Sequence, residues 1–260
     1  MSWARRRKAQ YLGGLILFLG IVGLLVFRSV TNVTPTCFDN KKNGEEVGID
    51  CGGKCLQYCP SELLEPKLRW ARSFVISKGV VHSVAYIEHS YPTASAQKVN
   101  YVFKLYDADN ALITERQGST YLGPMGRSAI VETLIPTGNI EVANTRFSFV
   151  SPIAWEKSDI DFSQVVIKTD RTKLESFNEG IRLTVNLDNK SRYNFSNFDA
   201  VAILYDQKDN AITTSKILVP SLLAESVQTV YFTWPSKINL KEIRSIEVIP
   251  RFNPFSSESL

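Results

Sequence analysis

The stretch that decides the fold is Phe103-Lys104-Leu105-Tyr106-Asp107, with its echo Ile203-Leu204-Tyr205-Asp206 about one hundred residues later. Each ends an alternating apolar run and enters a polar turn, Asp107-Ala108-Asp109-Asn110-Ala111 in the first and Asp206-Gln207-Lys208-Asp209-Asn210-Ala211 in the second. Four landmarks recur in order: Leu105/Leu204, Pro124/Pro220, Pro136/Pro235 and Pro152/Pro250 are 99, 96, 99 and 98 residues apart. A period of that length fits whole domains in tandem, not the shorter units of solenoids and propellers. Two unrelated β domains drawing on the same turn residues would give a looser version of the pattern.

Strand patterns surround both copies. Phe74-Val75-Ile76, Val84 to Ile87, Val99 to Tyr106 and Phe147 to Val150 are separated by Ser, Pro, Gly and Asn clusters, and Val99, Tyr101, Phe103 and Leu105 alternate as a half-buried strand requires. In the second copy Leu183, Val185 and Leu187 alternate, then Val201 to Tyr205, then Val230, Phe232 and Trp234, before Ile246 to Ile249. Val165-Val166-Ile167 reads as a further strand followed by a loop. No 3.6-residue apolar period of useful length occurs beyond residue 28. The expected fold is all-β, two tandem sandwiches of antiparallel sheets.

The amino-terminal segment is of another kind. Ala9 to Phe27 is 19 residues without a formal charge, and as a helix it rises ~28 Å, close to the thickness of a bilayer core. Arg5-Arg6-Arg7-Lys8 precedes it and only Arg28 follows closely, so the positive-inside bias keeps the N-terminus in the cytoplasm and places the remainder outside. A cleaved signal peptide starts the same way but has a shorter apolar region and a small-x-small cleavage site, which Ser29 to Thr36 does not offer. The net charge of +4 resides in this segment: the 232 residues after Arg28 hold 25 bases and 26 acids. With no basic stripe there is no footprint for nucleic acid.

All four cysteines, Cys37, Cys51, Cys55 and Cys59, fall within 23 residues. An even, clustered count outside the membrane points to two disulfides stapling a segment too short for a core, with three pairings open. A four-thiolate zinc site lacks its usual Cys-x-x-Cys pairs. Asp39, Asn43, Glu45 and Asp50 offer oxygen ligands for calcium without EF-hand spacing; among glycines they read first as turn formers. The expected organisation is a basic cytoplasmic tip (1–8), a transmembrane helix (9–28), a Cys-rich stalk (29–64) and sandwiches at 65–153 and 154–260.

Chemistry is sparse. His82 and His89 are seven residues apart on one strand and so on opposite faces, which separates them as metal ligands. No Gly-x-Ser-x-Gly elbow, phosphate-cradling loop or dinucleotide fingerprint is present. The acid pairs Asp107/Asp109 and Asp206/Asp209 recur, but Asp and Asn at strand turns are favoured by local backbone hydrogen bonding. Tyr106 and Tyr205 read as core or interfacial residues. Asn32, Asn189 and Asn194 head glycosylation sequons. No catalytic residue, cofactor or metal site is assigned.

Two resemblances add to this reading. Residues Cys37 to Cys59, with Asp50-Cys51-Gly52-Gly53-Lys54-Cys55 at the centre, resemble a short cysteine motif of secreted and surface proteins, which implies an extracellular setting with disulfides. Phe103, Leu105, Tyr106 and Asp107 resemble the signature of the FxLYD family of small extracytoplasmic β-sandwich domains in bacteria. The second copy matches through Leu204, Tyr205 and Asp206, with Ala202 where the family has Phe. The resemblance covers roughly residues 66 to 152 and 160 to 253; it implies sandwiches similar in outline to immunoglobulin-like domains and no catalytic set. The expected function is a non-enzymatic, single-pass cell-surface protein with an interaction or envelope-structural role, its partners the membrane and envelope proteins; the alternative is a calcium- or glycan-dependent adhesion module.

Overall fold

The computed structural model describes residues 3–31, 34–124, 126–158, 162–177, 180–235 and 238–255. It divides into two compact units, Met1–Cys55 and Leu56–Leu260. The first unit holds one helix, α1 (Trp3–Thr31), and a cysteine module. Within α1 the stretch Arg6–Ser29 is long and apolar enough to cross a membrane, as an anchor or a signal sequence is.

The second unit is all-β. Its first half contains β1 (Lys67–Ser77), β2 (Val80–His89), β3 (Ala94–Tyr106), β4 (Leu112–Leu122), β5 (Gly126–Pro136), β6 (Asn144–Phe149) and the two-residue β7 (Glu156–Lys157). Its second half contains β8 (Ile167–Phe177), β9 (Gly180–Asn189), β10 (Phe195–Tyr205), β11 (Ala211–Leu222), β12 (Val227–Trp234) and β13 (Ser245–Arg251). Pairing is the same in both halves. The first has sheets β1-β2-β5 and β4-β3-β6, the second β8-β9-β12 and β11-β10-β13, all antiparallel.

Each half closes over its own core. In the first, Tyr101, Phe103 and Leu105 of β3 meet Ala85 and Ile87 of β2; in the second, Ala200, Ala202 and Leu204 of β10 meet Leu183, Val185 and Leu187 of β9. Ala202 stands at the register position of Phe103, and its small size has a packing reason. The aromatic volume that Phe103 supplies in the first half comes from Phe232 and Trp234 of β12, both fully buried, so a large residue at 202 would overfill the space.

The two halves are not separate bodies. A third core joins them, built from Phe74, Val84, Tyr86, Ala129 and Val131 of the first half and Val201, Ile203, Ala211 and Ile249 of the second. Sheet β1-β2-β5 therefore packs against sheet β11-β10-β13. Both are buried on two faces, and their middle strands lose the alternation of a one-sided strand: Val84-Ala85-Tyr86-Ile87 and Ala200-Val201-Ala202-Ile203-Leu204 are buried throughout. The outward strand β9 alternates without a break. The docking is head to tail, because β2 of the first half meets β10 of the second and not its own counterpart β9. Register makes the difference visible in single residues: Lys104, paired with Glu115 and Arg146 on an outer sheet, corresponds to Ile203 at the seam.

Several sequence expectations are corrected in detail. Leu105 and Leu204 occupy the same register, and Pro136 and Pro235 both follow a buried core residue at the end of a strand, Ile135 and Trp234. Pro124 and Pro220 do not correspond, since one follows β4 and the other lies inside β11; nor do Pro152, beyond β6, and Pro250, within β13. The strand expected at Val165 begins at Ile167 and runs on to Phe177, after a 3-10 turn at Phe162–Gln164. The compact β unit extends back to Leu56, ahead of the first sandwich strand at Lys67. Residues 56 to 58 pair with the β7 region, through Tyr58 N–H to Trp155 O at 2.9 Å and Lys157 N–H to Leu56 O at 2.8 Å.

Replacing Ile203 by Lys, the residue its counterpart position carries on the solvent face, buries an unpaired ammonium at the seam. Denaturant unfolding is expected to show a loss of at least ~3 kcal/mol, with little change for Lys104→Ile. Equal effects of the two substitutions would contradict the two-sided burial of β10.

Candidate functional site

The cysteine module is organised by carboxylates as well as by sulfur. Cys37 and Cys55 form a disulfide, Cys51 and Cys59 are also disulfide-bonded, and no cysteine is free. The Cys37–Cys55 bridge closes a separation of 18 residues, a constraint on the unfolded chain of about 3 kcal/mol. Asp50 accepts the backbone N–H groups of Asp39 at 3.0 Å and Asn40 at 2.9 Å, and Glu46 accepts those of Asn43 and Asp50. Asp39 accepts from Lys41 N–H and from the Asn43 amide, while Glu45 pairs with Lys54. The Asn43 bond holds the Asp39 carboxyl below its ordinary range. Gly53 explains the second glycine of the motif: a Cβ there would lie 1.7 Å from the Glu45 carbonyl oxygen. Of the oxygens considered for calcium, those of Asp39 and Asp50 act as turn formers, Glu45 is in the ion pair with Lys54, and Asn43 Oδ1 is buried without a hydrogen-bond partner among the described residues. Glu46, Cys37 and Cys55 do converge, but the two sulfurs are bonded to each other and offer no thiolate.

The signature residues divide by parity. Phe103 and Leu105, and in the second copy Leu204, are fully buried in the cores. Tyr106 must then face outward, and it lies half-buried beneath Arg146, whose guanidinium is 4.7 Å from the ring centre, and not in the core. Tyr205, at the same register, faces the seam instead. Asp107 accepts from the N–H groups of Asp109 at 2.9 Å and Ala111 at 2.8 Å; Asp206 accepts from those of Lys208 and Asn210, both at 2.8 Å. Both signature aspartates close a β-turn in the same way, with Asn110 and Asp209 in the left-handed region at φ 60. Asp209 is therefore the counterpart of Asn110, not of Asp109, and the apparent recurrence of acid pairs is a coincidence of spacing.

The histidines lie on opposite faces of β2. His82 shares the seam face with Val84 and Tyr86, and His89 sits beside Trp155 at 5.4 Å. Desolvation lowers the pKa of both, helped at His82 by Lys216 and opposed at His89 by a hydrogen bond to the Gly123 backbone. Asn189 is fully buried; its amide donates to the carbonyls of Tyr193 and Leu223 and its Oδ1 accepts from Ser191, so its sequon is a structural turn. Asn194 accepts from Ala224 N–H, and Asn32 lies outside the described residues.

No local pattern in the chain marks the polar rim of the seam. Glu247 of β13 accepts from Tyr86 Oη at 2.8 Å, Tyr205 Oη at 3.0 Å and Arg127 at 3.3 Å, so one carboxylate ties both halves. Burial foremost, and then Glu247, raises the pKa of both tyrosines. Arg251, with a side chain 5% exposed, donates to Ser128 Oγ at 3.0 Å and Thr120 Oγ1 at 2.7 Å, beside Asp199 at 3.6 Å. Tyr121 Oη donates to the Arg251 carbonyl.

Next to Arg251 the seam opens into a cavity of about 250 Å³. Its apolar wall comprises Pro124, Phe162, Val165, Ile167, Pro250 and Phe252; its polar side chains are His89, Tyr121, Arg127, Ser128 and Arg251. Gly123 shapes the wall, for a Cβ there would come within 2.8 Å of the Phe252 carbonyl oxygen. No local motif marks these residues, which come from positions 89, 121–128, 162–167 and 250–252.

No protein-family model matches the chain, and no curated protein matches it.

The pKa shifts fix the sign of the pH dependence. Both histidines titrate below their unfolded value near 6.5, so their stabilisation is complete above that pH and is lost as pH falls through the folded values. Asp206, lowered first by its Asn210 backbone bond, adds a second loss below its unfolded value near 4. Thermal melts from pH 7.5 to 3 are expected to decline in these two ranges. His82→Gln with His89→Gln should flatten the upper one and Asp206→Asn the lower; an unaltered profile in the variants would refute the assignment.

Proposed function

We propose that this chain is a single-pass membrane protein whose N-terminus stays in the cytoplasm and whose cysteine module and paired sandwiches stand outside, with a non-enzymatic interaction or envelope-structural role. The observation that carries the reading is the oxidation of all four cysteines in the segment that follows an apolar helix of membrane-spanning length. Disulfides belong to oxidising compartments, and the basic cluster before the helix supports the orientation. The FxLYD-like signature agrees with such a setting. Its aspartates are engaged in turns and its apolar residues in cores, as in a scaffold that presents surfaces. The tandem reading draws support from the identical strand pairing of the two halves.

Two measurements check this. Proteinase K added to intact cells is expected to remove an epitope within residues 56–260 while an N-terminal tag survives; protection of that epitope until lysis would overturn the orientation. For the calcium alternative, the carboxylates of Asp39 and Asp50 already hold backbone N–H groups and that of Glu45 pairs with Lys54. A chelator should therefore leave the melting temperature unchanged, whereas a shift of several degrees would restore the adhesion reading.

A further inference from the structure

We propose that the cavity beside Arg251 is a binding site for a small anion with an apolar body, of the arylcarboxylate class. The lining decides the charge. Among its described residues are two guanidiniums, Arg127 and Arg251, and no carboxylate. The acids that balance them, Glu247 and Asp199, approach at 3.3 Å and 3.6 Å from outside the lining. A ligand entering the cavity meets the cationic side of both pairs.

The two arginines have different parts. Arg251 is held by Ser128, Thr120 and the Tyr121 carbonyl, and its burial makes it a fixed source of positive potential. Arg127 is 63% exposed, with a contact to Glu247 at 3.3 Å and with Tyr86 and Glu88 near its guanidinium, and its exposure lets its planar fork turn toward a carboxylate. His89, kept neutral by desolvation, adds no charge and offers a flat wall. The remaining wall is apolar and aromatic, with the Phe252 ring packed in tilted contact against Phe195 at 4.0 Å and Phe198 at 4.6 Å, which holds it in place.

Size sets the class further. At about 250 Å³ the cavity lies below the roughly 300–1,000 Å³ of pockets for drug-sized ligands, which leaves room for one ring and a short acid arm. The site is independent of the membrane topology proposed above, since it lies wholly within the Leu56–Leu260 unit.

The test is isothermal titration of the full-length protein in phosphatidylcholine nanodiscs with phenylacetate, its neutral relative 2-phenylethanol, and acetate. Phenylacetate is expected to bind saturably and at least tenfold more tightly than either comparison compound, with affinity falling as salt rises. Arg127→Gln, at an exposed position, should weaken phenylacetate at least tenfold without altering circular dichroism. Val165→Trp, which fills the cavity, should abolish binding. Absence of saturable heat, equal affinity for 2-phenylethanol, or binding unchanged in Arg127→Gln would each overturn the proposal.

Discussion

The apolar contact between sheet β1-β2-β5 and sheet β11-β10-β13 is what the rest of the β unit depends on. Burying one Val, Ile or Tyr-sized side chain is worth about 1.5–3 kcal/mol, so Val84, Val131, Val201, Ile203 and Ile249 together outweigh the polar bonds at the rim, each worth ~1 kcal/mol net. The apolar faces bring the halves together and the polar groups define how they meet. Glu247 has two oxygens and three donors from both halves around it, and Arg251 of β13 reaches Ser128 of β5 and Thr120 of β4. Sliding one sheet over the other would strand these groups without partners, a cost larger than the bonds themselves contribute.

Head-to-tail docking of like units leaves one free face at each end, and such a contact propagates unless the free faces are made unsuitable. Here they are. The outer face of β9 carries Arg182, Thr184, Asn186 and Asp188, and that of β3 carries Asn100, Lys104 and Tyr106. Charge on the outer sheets and apolar residues at the seam are two sides of one device, seen most plainly in the exchange of Lys104 for Ile203. The cavity lies at the edge of the same contact, between the segments around Gly123, Phe162 and Phe252, where the described residues leave space.

How much was legible follows from how far each signal reaches along the chain. The strands around Phe103 and Leu204 were readable because a period of two is local, and the Asp107 and Asp206 turns because an Asp bonds N–H groups within a few residues of itself. The apolar runs at Val84–Ile87 and Val201–Tyr205 were legible as strands, but their burial on both faces was not, because it depends on which second sheet packs there. Proline landmarks misled, since Pro220 and Pro250 stand within strands while Pro124 and Pro152 lie beyond them. Tyr106 was misplaced for want of a parity count from Leu105.

By itself, the sequence determined the all-β class, the apolar helix and the oxidised cysteines, all of which are written in neighbouring residues. Only the tertiary structure decided that the halves share a core, that Glu247 and Arg251 fasten it, and that Arg127, His89, Val165 and Phe252 meet around one cavity. Those residues are up to 163 positions apart, from His89 to Phe252, and no local period relates them. Their proximity is a product of which sheet faces pack together, and that is settled by apolar burial summed over the whole unit.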